Sequence, residues 1–355
     1  MLIAMEKTHA KRPTIRDVAL LAGVSRTTVS LVLNNVSSAN ISPETRTRIH
    51  NAVIQLNYHP LEAARNLRTQ ASQTLGVAIP DANNPHYMQI INGIDSYAQS
   101  QGYSTSIFIT NFSEERERLC FTWLQQKRSD ALILLSGTGR ALLNDVRSLH
   151  ERGHLITTLS FRRDTMFDAD IDSVVPQANT GEQLVMQHLA ESGHRRIGYI
   201  YGVASHELLH DRLDACLHIQ QQLGLPIKEE WIYRCGPTID DGYNATNALL
   251  QALPADGDRP TALVVVNDLL AISVLAALNH NGIHVPEEMS VISFDNIPQA
   301  PYTIPALTTV DYNTHLIGEK AAQLTIERLT QRDRPPILAE IPAQLIIRHS
   351  TAPSP

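Results

Sequence analysis

A guanidinium, two hydroxyls and a branched alkyl group stand close together in TIRDVALLAGVSRTTVSLVLNN (14–35), as Arg26, Thr27, Ser30 and Leu31. On a helix, positions i, i+1, i+4 and i+5 lie side by side, so these four would face outward together, with Thr28 beside them. Base edges in a DNA major groove answer that set of groups. Arginine bonds guanine twice, threonine and serine donate or accept, and leucine touches a thymine methyl. Thr14, Ser25, Asn34 and Arg46 are placed to hold phosphate, which positions a helix without reading sequence. The base-reading candidates are therefore Arg26, Thr27, Thr28, Ser30 and Leu31.

Local patterning supplies the elements that would carry these groups. Thr14 and Asp17 form a short variant of a capping box, followed by Ile15, Val18, Ala19 and Ala22 at helical spacing. Gly23 is the expected left-handed stop. Ser25 caps the next helix, whose Val29, Val32 and Leu33 point inward. Ser42-Pro43-Glu44 opens a third, with Ile49, Ala52, Val53 and Leu56 on its inner side. Three short helices with one tight glycine turn describe a helix-turn-helix unit. The turn alone would also fit a small bundle whose polar face simply meets water.

Charge is unevenly divided along the chain. The chain of 355 residues carries a net charge of −7, yet residues 1–70 hold nine Lys/Arg against four acids, leaving −12 on the remainder. A basic head on an acidic body points to an anionic partner for the head. The length implies more than one folding unit. With 43% hydrophobic and 18% charged residues, the composition is that of a soluble globular protein. Apolar runs such as Ala262–Val266 are far too short to span a bilayer. MLIAMEKTHAKRP carries no secretory signal pattern, so a cytoplasmic, nucleoid-associated location is expected. Residues 1–4 join no pattern, which leaves Met5 as a second candidate start. Cys120, Cys216 and Cys235 are scattered singly, and no metal-ligand spacing occurs, so reduced thiols, no metal and no cofactor are expected.

From Thr74 onward, apolar strands alternate with amphipathic helices. LGVAIPD, STSIFIT, DALILLSG and HLITTLS form one run; RRIGYIYG, ALVVVND and the strand ending at Asp295 form another. Helices are predicted near 86–101, 114–127, 140–152, 180–192, 209–224, 241–252 and 268–281. Strands this apolar are buried on both faces, as in parallel α/β sheets, and two such runs imply two lobes with a ligand site between them. Enzyme motifs fail on inspection. Ser136-Gly137-Thr138-Gly139 lacks the full dinucleotide fingerprint, and neither a phosphate loop nor a nucleophile elbow occurs. His194 reads as a surface or capping residue, so no enzyme is expected.

The head resembles that of the LacI/GalR family of bacterial transcription regulators, through Thr14–Ala19, Ala22-Gly23-Val24-Ser25, Thr28-Val29-Ser30 and Val32-Leu33-Asn34. In that likeness Arg26, Thr27 and Leu31 fall on variable base-reading positions, and Leu31 replaces a more usual arginine or histidine. Tyr58–Gln70 holds a proline and about two helical turns, too short to be stable alone. The resemblance makes it a hinge helix for the minor groove, with Leu67 as the wedge and Ala64 and Arg68 lining the groove.

The body resembles the family's periplasmic-binding-protein-like sensor. The residues that carry this are Asn84-Pro85-His86-Tyr87, Ser192–Gly198, Asp211-Arg212, Val266-Asn267-Asp268, Val285-Pro286, Ser290–Asp295 and Pro305–Thr309. The implied fold is an all-α helix-turn-helix head plus an α/β body of two parallel-sheet lobes. Its expected divisions are residues 12–59 for the head, 60–73 for the hinge, and 74–350 for the body. The first lobe would take 74–175 and 306–335, the second 176–305 and 336–350. The implied effector residues are His86, Tyr87, Phe161, Arg162, His206, Arg212, Asn267 and Asp295. Carboxylate, guanidinium and amide suit the hydroxyls of a mono- or disaccharide, with a nucleoside or purine as the alternative. Phe161-Arg162 and Pro176-Gln177 depart from the family by removing acidic acceptors. The resemblance further implies a homodimer on a near-palindromic operator, with no membrane partner. The tail HSTAPSP lacks the leucine heptads of a tetramerising helix. A sugar-binding transport protein would share the body but would have no use for a basic head.

Overall fold

Asp17 reaches back over the first turn of the head, accepting from the Thr14 amide at 2.8 Å and its hydroxyl at 2.7 Å. That pairing opens α1 (Ile15–Ala22), which stops at Gly23 with a left-handed φ of 66°. Ser25 caps α2 (Arg26–Leu33), its hydroxyl accepting from the Thr28 amide at 3.0 Å. Ser42 caps α3 (Pro43–Gln55) in the same way through the Thr45 amide. Val18, Ala19, Ala22, Val29, Val32, Ile49 and Ala52 form the buried centre of this small unit. The computed structural model describes residues 13–33, 40–58, 71–160, 170–177, 180–202, 207–253 and 259–355. The chain divides into two units, Met1–Ser72 and Gln73–Pro355. The expected hinge residues Ala64, Leu67 and Arg68 lie outside the described residues, as do Asn34, Phe161, Arg162 and His206.

The body contains two six-stranded sheets. The first joins β1 (Thr74–Ile79), β2 (Ser104–Ile109), β3 (Ala131–Leu135), β4 (Ile156–Leu159), β5 (Asp172–Pro176) and β11 (Leu338–Ile341), in the order β2-β1-β3-β4-β5-β11. All its pairings are parallel. The second joins β6 (Ile197–Gly202), β7 (Ile232–Cys235), β8 (Ala262–Val265), β9 (Ser290–Phe294), β10 (Thr308–Asp311) and β12 (Gln344–Ile346), in the order β7-β6-β8-β9-β10-β12. Only β12 runs antiparallel, against β10. Every residue of β3, β8 and β9 is buried, as strands covered on both faces require.

Two strands depart from the expected lobe limits. Thr308–Asp311, expected in the first lobe, pairs with β9 of the second sheet, and Leu338–Ile341, expected in the second, pairs with β5 of the first. Four-residue strands carry no label for their sheet; the partner edge decides it. Between them α11 (Thr314–Thr330) returns to the first lobe and crosses α4 (Pro85–Ser100) at van der Waals contact between backbones. A Cβ on Gly93 would lie 2.1 Å from the His315 carbonyl oxygen, and one on Gly318 would lie 2.1 Å from that of Ile90. Only glycine permits this approach. The chain thus passes between lobes after β5, β10 and β11.

The remaining helices cover the sheets: α5 (Glu114–Gln125) and α6 (Leu143–Glu151) in the first lobe, then α7 (Thr180–Glu191), α8 (Glu207–Gln222), α9 (Ile239–Ala252) and α10 (Asp268–His280) in the second. No described helix is long and apolar enough to cross a membrane. His194 is completely buried, contrary to the surface role expected for it. Its ring nitrogens lie 2.9 Å from the Thr261 hydroxyl and 3.0 Å from the Ala352 carbonyl. The C-terminal segment explains that burial. Ser350 accepts from the Thr308 amide and donates to the Val291 carbonyl, sewing the segment onto the second sheet.

In the first lobe, buried Asp172 accepts two bonds from Arg328 (2.9 Å each), two from Arg334 (2.8 Å each) and one from the Ile337 amide (2.8 Å). Burial alone would raise its pKa, but these donors win and hold it below the usual carboxylate range. A depressed folded value contributes stability above the unfolded pKa of about 3.9 and loses it as pH falls through the folded value. Asp172→Asn should cost about 3–5 kcal/mol by stranding two guanidinium groups. It should also flatten the acid limb below about pH 4. Urea unfolding followed by the fluorescence of Trp123 and Trp231 measures both, and an unchanged midpoint would show the cluster to be energetically idle.

Candidate DNA-reading face and effector site

Ile15, Arg26, Thr27, Ser30 and Leu31 line an open depression on the head. Arg26 and Thr27 are exposed, while Ser30 and Leu31 are half-buried. Ile15 was read from sequence only as an inward residue. The Thr28 hydroxyl lies 2.8 Å from that of Ser25, so both groups are engaged in the helix cap. The Thr14 hydroxyl likewise donates to Asp17. Arg46 sits half-buried in the first turn of α3.

In the body, Asn84 caps α4 by accepting from the His86 amide at 3.0 Å, and Pro85 fits the first turn. This start places His86 and Tyr87 together, their rings edge to face at 5.2 Å. The imidazole is buried, and its Nδ1 lies 3.4 Å from Asp295 Oδ1 across the two lobes. Asp295 follows β9 with φ 108°, a region that disfavours side chains and that structures retain mainly where surroundings impose it. Asp268 is part of that surrounding. It accepts from the Ser293 hydroxyl, the Thr309 hydroxyl (2.6 Å) and the Ile297 amide (2.9 Å), gripping the turn on either side of Asp295. Asn267 caps α10, its side-chain oxygen accepting from the Leu270 amide at 2.9 Å, so that oxygen is committed to the helix.

Arg212 of α8 occupies the centre. Its Nη1 donates to the Val266 carbonyl at 2.5 Å and lies 4.0 Å from Asp295 Oδ1; its Nε lies 3.5 Å from Glu182 Oε1. The guanidinium carbon stands 4.4 Å from the centre of the Phe294 ring and 5.4 Å from that of Tyr312. Both are cation–π distances. Gln89 ties the lobes nearby, donating to the Asn296 carbonyl (3.3 Å) and accepting from the Thr314 hydroxyl (2.9 Å). Behind Arg212 a cavity of about 10 Å³, bounded by Tyr199, Cys216 and Val264 among others, has room for one water at most.

Of the expected effector residues, His86, Tyr87, Arg212 and Asp295 therefore meet, with Asn267 at the adjoining helix start. Sequence reading missed Gln89, Glu182, Asp268, Phe294 and Tyr312. Asp268 stands beside Asn267 in the Val266-Asn267-Asp268 motif, whereas Glu182, like Asp268 an acid in the first turn of a helix, belongs to no such motif. The Ser136–Thr138 loop is explained by Glu117, whose buried carboxylate accepts from Ser136 Oγ, the Gly137 amide and Thr138 Oγ1 within 2.9 Å.

Burial pushes His86 down to about 3, helped by the charge of Arg212, so the ring is neutral at neutral pH. Burial pushes Asp295 up to about 7 against the pull of Arg212, and Asp268 up to about 7 with a further push from Asp295. Burial also opposes the charge on Arg212, but Tyr312, Asp295 and Glu182 around it keep the group firmly protonated.

A helix-turn-helix head joined to a two-lobed sensor defines a ligand-responsive DNA-binding regulator. Residues 14–61 match the family described as bacterial regulatory proteins, lacI family, and residues 186–351 match the periplasmic binding protein-like domain. The HTH-type transcriptional repressor PurR of Actinobacillus pleuropneumoniae serotype 3 is 30% identical over 95% of this chain and 98% of its own. The lac repressor dimer bound to operator and the anti-inducer ONPF superposes with a TM-score of 0.83, at 25% identity over 96% of this chain and all of that one. A regulator CelR–cellobiose complex gives 0.69, at 26% identity over the same shares. The chain belongs to the LacI family of DNA-binding transcriptional repressors. Its members bind operator DNA as dimers and respond to small molecules.

The two raised carboxylates set a pH dependence. A folded value near 7 against about 3.9 unfolded contributes stability that is complete below the unfolded value and is lost as pH rises through 7. Buried histidines with lowered values act in the opposite sense below about pH 6.5, so the difference between variants is the useful measure. Asp295→Asn, compared with the parent in urea from pH 5 to 8, should give a difference curve that climbs in the variant's favour from pH 5 and levels off above about 7. A flat difference curve would mean that Asp295 ionises normally.

Proposed function

We propose that this chain is a dimeric repressor whose operator affinity is set by a purine-type heterocycle bound between the lobes. The observation that carries the reading is the convergence of Tyr87 and His86 from the first lobe on Arg212 and Asp295 from the second. A purine edge offers a carbonyl beside an N–H, which a guanidinium and a carboxylate can bond together, and the ring suits an aromatic wall. The sugar favoured on sequence grounds would use the same two groups through adjacent hydroxyls. Relatives that align along the whole chain carry the name PurR, and this tips the choice to the purine. Bound ligand would join both lobes at one point, favouring one relative setting of the lobes and so changing how two heads meet their half-sites. The face Arg26, Thr27, Ser30 and Leu31 would read the major groove, and Leu67 would wedge the minor groove at the operator centre.

A thermal-shift series with adenine, guanine and hypoxanthine against ribose and cellobiose tests the ligand class. A rise in melting temperature with a purine alone is expected; a rise with a sugar alone would restore the saccharide reading. For the head, Arg26→Ala should cost about 1–3 kcal/mol at one base pair per half-site and relax preference there. Gel shifts on DNA from its own upstream region measure this. An equal loss on every sequence would contradict base reading, and no shift at about 50 mM salt would remove operator binding itself.

A further inference from the structure

Glu182 stands where a ligand-binding arginine would otherwise present unbalanced positive charge. Its Oε1 lies 3.5 Å from Arg212 Nε and accepts from the Tyr312 hydroxyl at 3.4 Å, and both carboxylate and guanidinium are largely buried. Arg212 Nη1 donates to the Val266 carbonyl and lies 4.0 Å from Asp295, and the faces of the group meet Phe294 and Tyr312. The surroundings deepen the imbalance. The charges that act on His86, Tyr87 and Arg212 include the carboxylates of Asp81, Glu182, Asp295 and Asp311, set against Arg212, while Arg348 nearby is drawn to Asp311 and Asp268. His86 adds no positive charge, because burial keeps it neutral. Among the described residues at this junction, Arg212 and Arg348 thus face a larger number of acids in a site shielded from water, where charge interactions are strong.

We infer that Glu182 is a specificity-determining residue: it neutralises Arg212 within the protein and so bars phosphorylated or carboxylated metabolites, leaving the site to uncharged ligands. The inference rests on the effector site described above but not on the effector being a purine. A free base or sugar loses nothing at this arginine, because it needs only a directed N–H. A phosphate would need the full charge, which is already spent on Glu182, and would also meet the remaining carboxylates as like charges.

Glu182→Gln removes the charge while keeping the size and the oxygen that accepts from Tyr312. The probe is inorganic phosphate at pH 6, where Asp295 is largely protonated, titrated into the full chain and followed by phosphorus NMR line width. The parent should bind none in the millimolar range. Glu182→Gln should gain at least tenfold in affinity, and Glu182→Gln combined with Arg212→Gln should lose that gain. Urea midpoints confirm that each variant is folded. Phosphate bound at Arg212 in the parent, or no gain in folded Glu182→Gln, would overturn the inference. Failure of the purine series with this phosphate pattern intact would count against the heterocycle and not against Glu182.

Discussion

A buried guanidinium is costly unless its donors and charge are answered, and Arg212 is the point at which this body answers one. Val266 supplies a carbonyl, Glu182 and Asp295 supply charge, and Phe294 and Tyr312 cover the faces. These partners come from α7, the ends of β8 and β9, and the segment after β10, while Arg212 itself stands on α8. Fixing Arg212 therefore fixes the C-terminal ends of the second sheet relative to one another, where ligands of open α/β sheets bind. Asp268 extends the same constraint by holding the turn that keeps Asp295 at a positive φ.

The first lobe reaches this centre through α4. Its N-terminus is aimed by the Asn84 cap, and its body is clamped to α11 by the paired glycines Gly93 and Gly318. α11 begins just after β10 of the second sheet and packs directly against the helix that carries His86 and Tyr87. Gln89 bonds both the Thr314 hydroxyl and the Asn296 carbonyl, so the crossover helix and the effector loop share one amide. His86 and Asp295 mark a point where the two lobes touch.

The head obeys a separate economy. Seven buried apolar side chains form the centre of its three helices, while the cap of α2 lies at the surface. There Ser25 and Thr28 bond each other, while Arg26 and Thr27 stand exposed one position away. Capping groups and exposed polar groups are thus interleaved on one turn of helix.

Much of this was legible in order of residues. Helix caps, the glycine stop and the apolar strands are local, since each depends on neighbours within a turn or on unbroken burial, and they lie where periodicity put them. The short strands β5, β7, β10, β11 and β12 were not legible, because three to five residues carry too little pattern to name a sheet, and so the lobe limits shifted. The site divided in the same way. His86, Arg212 and Asp295 stood in recognisable motifs, but Glu182 and Tyr312 became part of it only through long-range packing. By itself the sequence determined the head helices, the long apolar strands and most of the helices between them, the charge split between head and body, and the family. The tertiary structure decided which acids face Arg212, because residues 130 positions apart, such as Glu182 and Tyr312, meet only when two lobes built from interleaved segments close around one buried charge.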